Sequence, residues 1–202
     1  MMSAPLILAS ASRVRAALLQ GAGLTFSIEP AKLDETELKN QASADGAILN
    51  GAALAVFLAK KKAEEVSARH PEALVIGADQ TLSCHGRLFD KPADQDEARQ
   101  NLLFFRAHPH HLHSGVALMK DGECLWSHHQ QATLTMRPFS DGFLESYLEQ
   151  LGDKVLTSVG AYQLEGPGVQ LFKKIDGDYF TILGLPLLEL LDALRAQKAV
   201  QT

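Results

Sequence analysis

The chain has only two cysteines among its 202 residues, Cys84 and Cys124. They lie far apart and neither belongs to a CxxC pair, which argues against a zinc ribbon and a disulfide framework. Two reduced thiols suit a cytoplasmic protein. No run of eighteen apolar residues is present, so no transmembrane helix is expected. A basic excess is also missing: nineteen Lys and Arg stand against twenty-four Asp and Glu, a formal net charge of −5. No nucleic acid is therefore expected as the main partner, although a small polyanion can still bind in a local basic pocket. Met1-Met2-Ser3-Ala4-Pro5 lacks a basic n-region. The apolar stretch after it is too short for a signal peptide, so a soluble cytoplasmic chain is expected, away from the membrane. There is no internal repeat, no low-complexity linker, and no Walker P-loop, GxGxxG, GxSxG or HExxH motif.

What is there is ordinary globular material. Hydrophobic residues make up 46% and charged residues 21%, which excludes a disordered tail, a fibre and a coiled coil. The length allows one domain, or two small lobes without a separate linker, across residues 1–202. The apolar run Leu6-Ile7-Leu8-Ala9 predicts a buried strand, and a helical pattern follows over 13–20, stopped by Gly21 and Gly23. Phe26 and Ile28 suggest a second strand, followed by an acidic loop over 33–37. A long helix is expected over 47–69, and a buried strand over 73–79 that ends in a carboxylate, Asp79. Cys84 to Arg87 reads as a hairpin turn. Asp94 with Glu97 forms a capping box for a helix to Phe105. Strands around Val116–Leu118 and Ala132–Leu134 join through Lys120-Asp121-Gly122. Ser140 caps a helix to Leu151, residues 160–168 form a Gly-rich loop, 171–175 a strand, and Pro186 opens a last helix to Arg195. Mixed strands and helices with hairpins in the middle indicate an α/β fold with a mixed sheet.

Four constellations carry chemistry. Ser10-Ala11-Ser12-Arg13-Val14-Arg15 sits between a strand and a helix N-terminus, where backbone N–H groups, the helix dipole and guanidinium forks suit phosphate oxygens. An ordinary Ser cap with solvated arginines fits the same residues. Asp34-Glu35 can hold Mg²⁺ or Mn²⁺ when substrate phosphates complete the shell, and equally forms a solvated acidic loop. Lys60-Lys61-Lys62 step about 100° apart around a helix, so at most one or two can face a site. Asp79, at the end of a buried strand, suits a general base or metal ligand, and Lys91, twelve residues on, returns after the hairpin. The same Asp also suits a turn cap. The histidines at 108, 110, 111, 113, 128 and 129 admit a zinc site, but Pro109 interrupts them and no acidic or cysteine partner adjoins, which favours a polar sheet face.

These pieces in this order resemble the Maf family of nucleoside triphosphate pyrophosphatases, over nearly the whole chain. LILASASRVR (residues 6–15) is similar to the family opening LILASxSPRR. Phe26 through Asp34-Glu35, the stretch Leu58 to Ala63, VIGAD (75–79) with Lys91-Pro92, Gly160-Ala161-Tyr162 with Glu165-Gly166, and Gly184-Leu185-Pro186 resemble its further segments. The resemblance implies an elongated two-lobed α/β fold of the Maf/ITPase type, with a central mixed sheet and a cleft between the lobes. It implies a homodimer, and metal-assisted hydrolysis between the α and β phosphates to give a nucleoside monophosphate and pyrophosphate. A house-cleaning role and a link to septum formation come with it. Carried over by position, Asp79 accepts the proton of water, and Asp34, Glu35 and Asp79 hold a divalent cation, Mg or Mn. Lys62 and Lys91 meet phosphate, as do Ser10, Ser12, Arg13 and Arg15.

The departures bear on substrate. Arg13 replaces the motif's proline and Val14 its first arginine. Gln80 replaces the threonine of GADT, Glu165 the glutamine of the QG pair, and Ser158 a frequent lysine. Val14, Gln80 and Glu165 fall on the base-selecting positions. Gln80 and Glu165 resemble the subgroup acting on 7-methyl-GTP, although that subgroup tends to carry tryptophan where Val14 stands. A carboxylate accepts from guanine N1–H and N2–H₂ and matches uracil or thymine oxygens poorly. The alternatives are a dTTP/UTP pyrophosphatase of the same family, a non-catalytic nucleotide-binding or division-associated protein, and a phosphatase releasing single phosphates.

Overall fold

The computed structural model describes residues 4–44 and 50–201. The chain divides into two compact units, neither continuous in sequence. The first comprises Met1–Gln80, His113–Gln130 and Asp178–Thr202, and the second Thr81–Leu112 and Gln131–Gly177.

The first unit begins with β1 (Leu6–Leu8), α1 (Arg13–Gly21) and β2 (Ser27–Ile28). Helices α2 (Glu35–Ala44) and α3 (Gly51–Arg69) lead into β3 (Leu74–Cys84). Strand β1 pairs in parallel with β2 and β3. β3 carries a nearly unbroken buried run from Leu74 to Asp79, as expected of a strand covered on both faces. Its alternate residues go to different layers. Ile76 and Ala78 join Leu8, Leu19 and the final helix in one core cluster. Val75 joins Ile7 with Ala63 and Val66 of α3 in another. Two glycines let α3 lie directly on the sheet. A Cβ on Gly77 would strike Ala59 and Ala63, and one on Gly115 would strike Ala55. The small residues at 55, 59 and 63, four apart on one helix face, are the counterpart of those glycines.

The second unit contains the end of β3 and a hairpin to β4 (Arg87–Phe89) through His85 and Gly86, both with positive φ, as two-residue hairpin turns require. Asp94 caps α4 (Gln95–Phe105). Long strands β5 (Pro109–Lys120) and β6 (Glu123–Met136) contribute residues to both units and turn at Asp121-Gly122. Ser140 caps α5 (Asp141–Leu151), and β7 (Phe172–Asp176) pairs antiparallel with β6. The first unit closes with α6 (Tyr179–Ile182) and α7 (Leu187–Ala196) behind Pro186. The strand order is β2-β1-β3-β5-β6-β7, with β4 on β3. Parallel and antiparallel pairs together make the expected mixed α/β sheet.

Three expectations are corrected. Residues 35–37 are the first turn of α2, not a loop, because Asp34 Oδ1 accepts from the N–H groups of Thr36 and Glu37 at 2.9 and 3.0 Å, and Glu35 and Glu37 suit the positive end of the helix dipole. β3 does not end at Asp79 but runs five residues further, to Cys84. The Gly-rich stretch closes in a 3-10 turn, Pro167–Leu171. Residues 47–49 of the expected long helix lie outside the described residues. No helix among the described residues is long and apolar enough to cross a membrane.

Candidate active site

Asp79 sits on the face of β3 that carries Val75 and Gly77, towards α3, and is 7% exposed. An ionised carboxylate there needs a partner. Lys62 supplies it: its Nζ lies 2.6 Å from Asp79 Oδ1. The same Nζ lies 2.7 Å from Glu35 Oε1, in the first turn of α2. One residue of the lysine triplet therefore faces the site. Lys61 instead pairs with Glu64 of its own helix.

Asp34, expected beside Glu35 at a metal, spends Oδ1 on the cap of α2. The carboxylates that converge on one point are Glu35 and Asp79. Two carboxylates around one cationic position are a donor set that suits Mg²⁺ or Mn²⁺ when phosphate oxygens and water complete the shell. Among the described residues, no three His, Cys, Asp or Glu side chains are grouped to hold an ion. The histidines have other uses. His110 is buried in contact with Tyr162, His111 meets Thr133, and His113 stacks on His129.

The Ser-Arg segment is folded around its own backbone. Ser12 caps α1, its Oγ accepting from Arg15 N at 3.3 Å. The N–H groups of Arg13 and Val14 head that helix, the position at which helices bind anions. Arg13 is exposed and Val14 half-buried. Buried Ser10 accepts from Ser12 N at 3.3 Å and from Arg15 Nη1 at 3.1 Å. Arg15 also donates from Nη1 to Ala78 O at 2.9 Å and from Nε to Gly184 O at 2.8 Å. Burial pulls its pKa down, while the charges of Asp79 and Glu35 hold it up. It remains a guanidinium. The sequence suggested a phosphate ligand, but Nε and Nη1 are committed to the protein. Gln80, expected at the base, donates from Nε2 to Ser114 Oγ, Thr181 O and Ile182 O at 3.0, 3.1 and 3.1 Å.

Lys91 and Glu165 belong to the second unit and both are exposed. Lys91 follows β4 and precedes buried Pro92. Glu165 lies in the turn that Gly166 N closes on Gln163 O at 3.2 Å. Ser158, where a lysine is frequent, ties down its own loop. Its Oγ donates to Tyr162 O at 2.6 Å and accepts from Tyr162 N at 3.1 Å. Beneath this turn Tyr162 Oη meets His110 Nε2 at 2.7 Å. Burial lowers the His110 pKa to about 3 and raises that of Tyr162, so both are neutral. The structure thus gathers Glu35, Lys62 and Asp79, and sets Ser10, Arg15 and Gln80 around the neighbours of Asp79. Sequence reasoning missed Ser114 and Thr181, neither of which stands in a recognisable motif.

The sequence matches the family described as "Maf-like protein" over residues 5–197. A protein of Paramagnetospirillum magneticum named nucleoside triphosphate pyrophosphatase is 53% identical over 189 residues, 94% of this chain and 96% of its own. Proteins of Rhizobium etli and Brucella suis, both named 7-methyl-GTP pyrophosphatase, are 50% and 49% identical. The first match covers 96% of each chain, the second 98% of this chain and 99% of its own.

Proposed function

The chain belongs to the Maf family, and on that premise we propose that it is a nucleoside triphosphate pyrophosphatase that cleaves between the α and β phosphates. Water adds to phosphorus, the phosphoanhydride P–O bond breaks, and its electron pair leaves with the departing phosphate. The products are a nucleoside monophosphate and pyrophosphate. The observation that carries this reading is the contact of buried Asp79 with Lys62 at 2.6 Å, shared with Glu35. The ammonium orients the Asp79 carboxylate, which can take the proton of the attacking water. Lys62, Lys91 and the N-terminal amides of α1 offset the charge on the phosphate oxygens. Glu35 and Asp79 are the residues that would hold Mg²⁺ or Mn²⁺. Such an ion, when bound, neutralises phosphate charge and acidifies water.

Within this reading the base is of the guanine type, 7-methyl-GTP included. Glu165 supports it, as a carboxylate that accepts from N1–H and N2–H₂, and so do the names of the Rhizobium and Brucella relatives. The proposal extends to a homodimer acting in the cytoplasm, with a link to septum formation. The test is pyrophosphate release from 7-methyl-GTP, GTP, UTP, dTTP and CTP with Mg²⁺ or Mn²⁺, with Asp79→Asn as control. Release that falls about 10²- to 10⁴-fold in the control is expected. Orthophosphate as the product, or unchanged turnover in Asp79→Asn, would refute it. Preference for UTP and dTTP would refute the guanine assignment alone.

A further inference from the structure

Lys62, Glu65 and Arg69 stand at i, i+3 and i+7 on α3, so their side chains form one stripe along the helix. All three reach the chain that leads from β2 into α2. Lys62 Nζ lies 2.7 Å from Glu35 Oε1. Glu65 Oε2 accepts from the backbone N–H of Lys32 at 3.2 Å. Arg69 donates from Nη2 to Pro30 O at 3.4 Å, and its Nη1 lies 3.8 Å from Glu29 Oε2. Arg69 also holds Glu65 with a two-pronged fork, Nε to Oε1 at 2.9 Å and Nη2 to Oε2 at 3.0 Å. Paired charge-assisted bonds of this kind fix direction as well as distance. They hold the pKa of Glu65 down and that of Arg69 up. Between these polar contacts, Ala31 packs against the core cluster that contains Ala63 and Val66 of α3.

The connection needs such contacts because the sheet does not hold it. β2 ends at Ile28, and the last backbone bond to β1 runs from Glu29 N to Leu8 O at 3.1 Å. Residues 30–34 belong to no strand or helix. Asp34 then caps α2, and Glu35 is the first residue of that helix. Where 30–34 lies on α3 therefore decides where the Glu35 carboxylate lies. Asp79 needs no such help, being set in buried β3. We infer that Glu65 and Arg69 are positioning residues that clasp residues 29–32 onto α3 and so place Glu35 beside Lys62 and Asp79, where the two carboxylates can share a divalent cation.

The kinetic test of the clasp rests on the pyrophosphatase reading, and a second readout is free of it. In Glu65→Ala and Arg69→Ala, the Mg²⁺ concentration for half-maximal turnover should rise by about 10-fold, the lower end of the loss when a group that orients a metal ligand is removed. kcat at saturating Mg²⁺ should be nearly kept. Arg69→Lys, which keeps the charge and loses the fork, should behave like Arg69→Ala. The double variant should be little worse than either single one, because both act through one contact. In a Glu35→Gln background, Arg69→Ala should add nothing to the Mg²⁺ requirement, whereas a general loosening of α3 would still add to it. Lys61→Ala breaks an ion pair of the same helix, with Glu64, and is the control that should leave the Mg²⁺ requirement unchanged. Exposed ion pairs add little to stability, so urea unfolding of Arg69→Ala should stay close to wild type. Independently of turnover, the Lys32 amide should exchange hydrogen faster in Arg69→Ala, with Thr36 and Glu37 following, while residues 75–79 of β3 keep their wild-type rates. An unchanged Mg²⁺ requirement in active Arg69→Ala, an added loss in the Glu35→Gln background, or unaltered exchange at Lys32 would overturn the clasp. Absence of wild-type turnover would refute the proposed function, and the exchange experiment would still decide the clasp.

Discussion

Lys62 and Asp79 form an ion pair whose side chains are only 13% and 10% exposed, with Glu35 as a third member at 48%. Removing the ammonium leaves two carboxylates facing one vacated position. In Lys62→Met the chain should lose stability, up to about 3–5 kcal/mol if the pair behaves as fully buried. Exposure of Glu35 to solvent reduces that figure. Mg²⁺ should restore more stability to Lys62→Met than it adds to wild type, because a cation can take the place of the lost charge. Urea unfolding with and without Mg²⁺ reads both effects. An equal response of the two proteins to Mg²⁺ would refute the shared cationic position.

Lys91 offers a cleaner kinetic test because it is exposed. Surface substitutions generally change stability by no more than about 0.5 kcal/mol, so a lost rate in Lys91→Ala reports on function. If Lys91 meets charge that develops as the anhydride breaks, kcat and kcat/KM fall together. A rise in KM with unchanged kcat would make it an anchor for the ground state.

The start of the fold was legible because Leu6–Leu8 is an apolar run followed by a capping serine, and both roles are local. The turn at Asp121-Gly122 and the cap at Ser140 were legible for the same reason. The helix at Glu35 was hidden, since a run of carboxylates carries no apolar period and its signal lies in the cap. β3 was cut short at Asp79 because Gln80, Thr81 and Ser83 interrupt the apolar run. At the site, residue types were legible and partners were not. Lys62 could be singled out only as one of three lysines. The carbonyl that engages Arg15 belongs to Gly184, 169 positions away, and no local pattern announces it.

Gly77 and Gly115 test the seating of the helix that carries Lys62. A Cβ on either meets α3 backbone, which no rotamer change relieves. Gly77→Ala and Gly115→Ala should each cost about 1–3 kcal/mol or more, as overpacking does. Gly142, on the exposed first turn of α5 with open space around it, is the control. Gly142→Ala should be neutral or stabilising, since alanine favours a helix. Equal effects at all three positions, read by urea unfolding, would argue against close seating.

His110 gives the pH dependence a definite sign. It is fully buried, its Nε2 meets Tyr162 Oη at 2.7 Å, and its Nδ1 has no hydrogen-bond partner. Burial, with a smaller contribution from His111, lowers its pKa from 6.5 to about 3. Between those values the unfolded chain binds a proton that the folded chain refuses. Stability is therefore fully present above 6.5, falls as the pH drops below it, and levels off near 3. The slope from this one group reaches about 1.4 kcal/mol per pH unit. His110→Phe removes that dependence but leaves the buried Tyr162 hydroxyl without its imidazole, at about 1–3 kcal/mol. The variant should thus be less stable than wild type near neutral pH, and the gap should narrow or reverse towards about pH 4. His110→Phe with Tyr162→Phe should recover part of the neutral-pH loss. Urea midpoints across this range read the effect, and the His110 ring resonances should show no titration step above about pH 4. A step near 6.5 would mean that the imidazole charges in place and that the buried contact with Tyr162 does not hold it neutral.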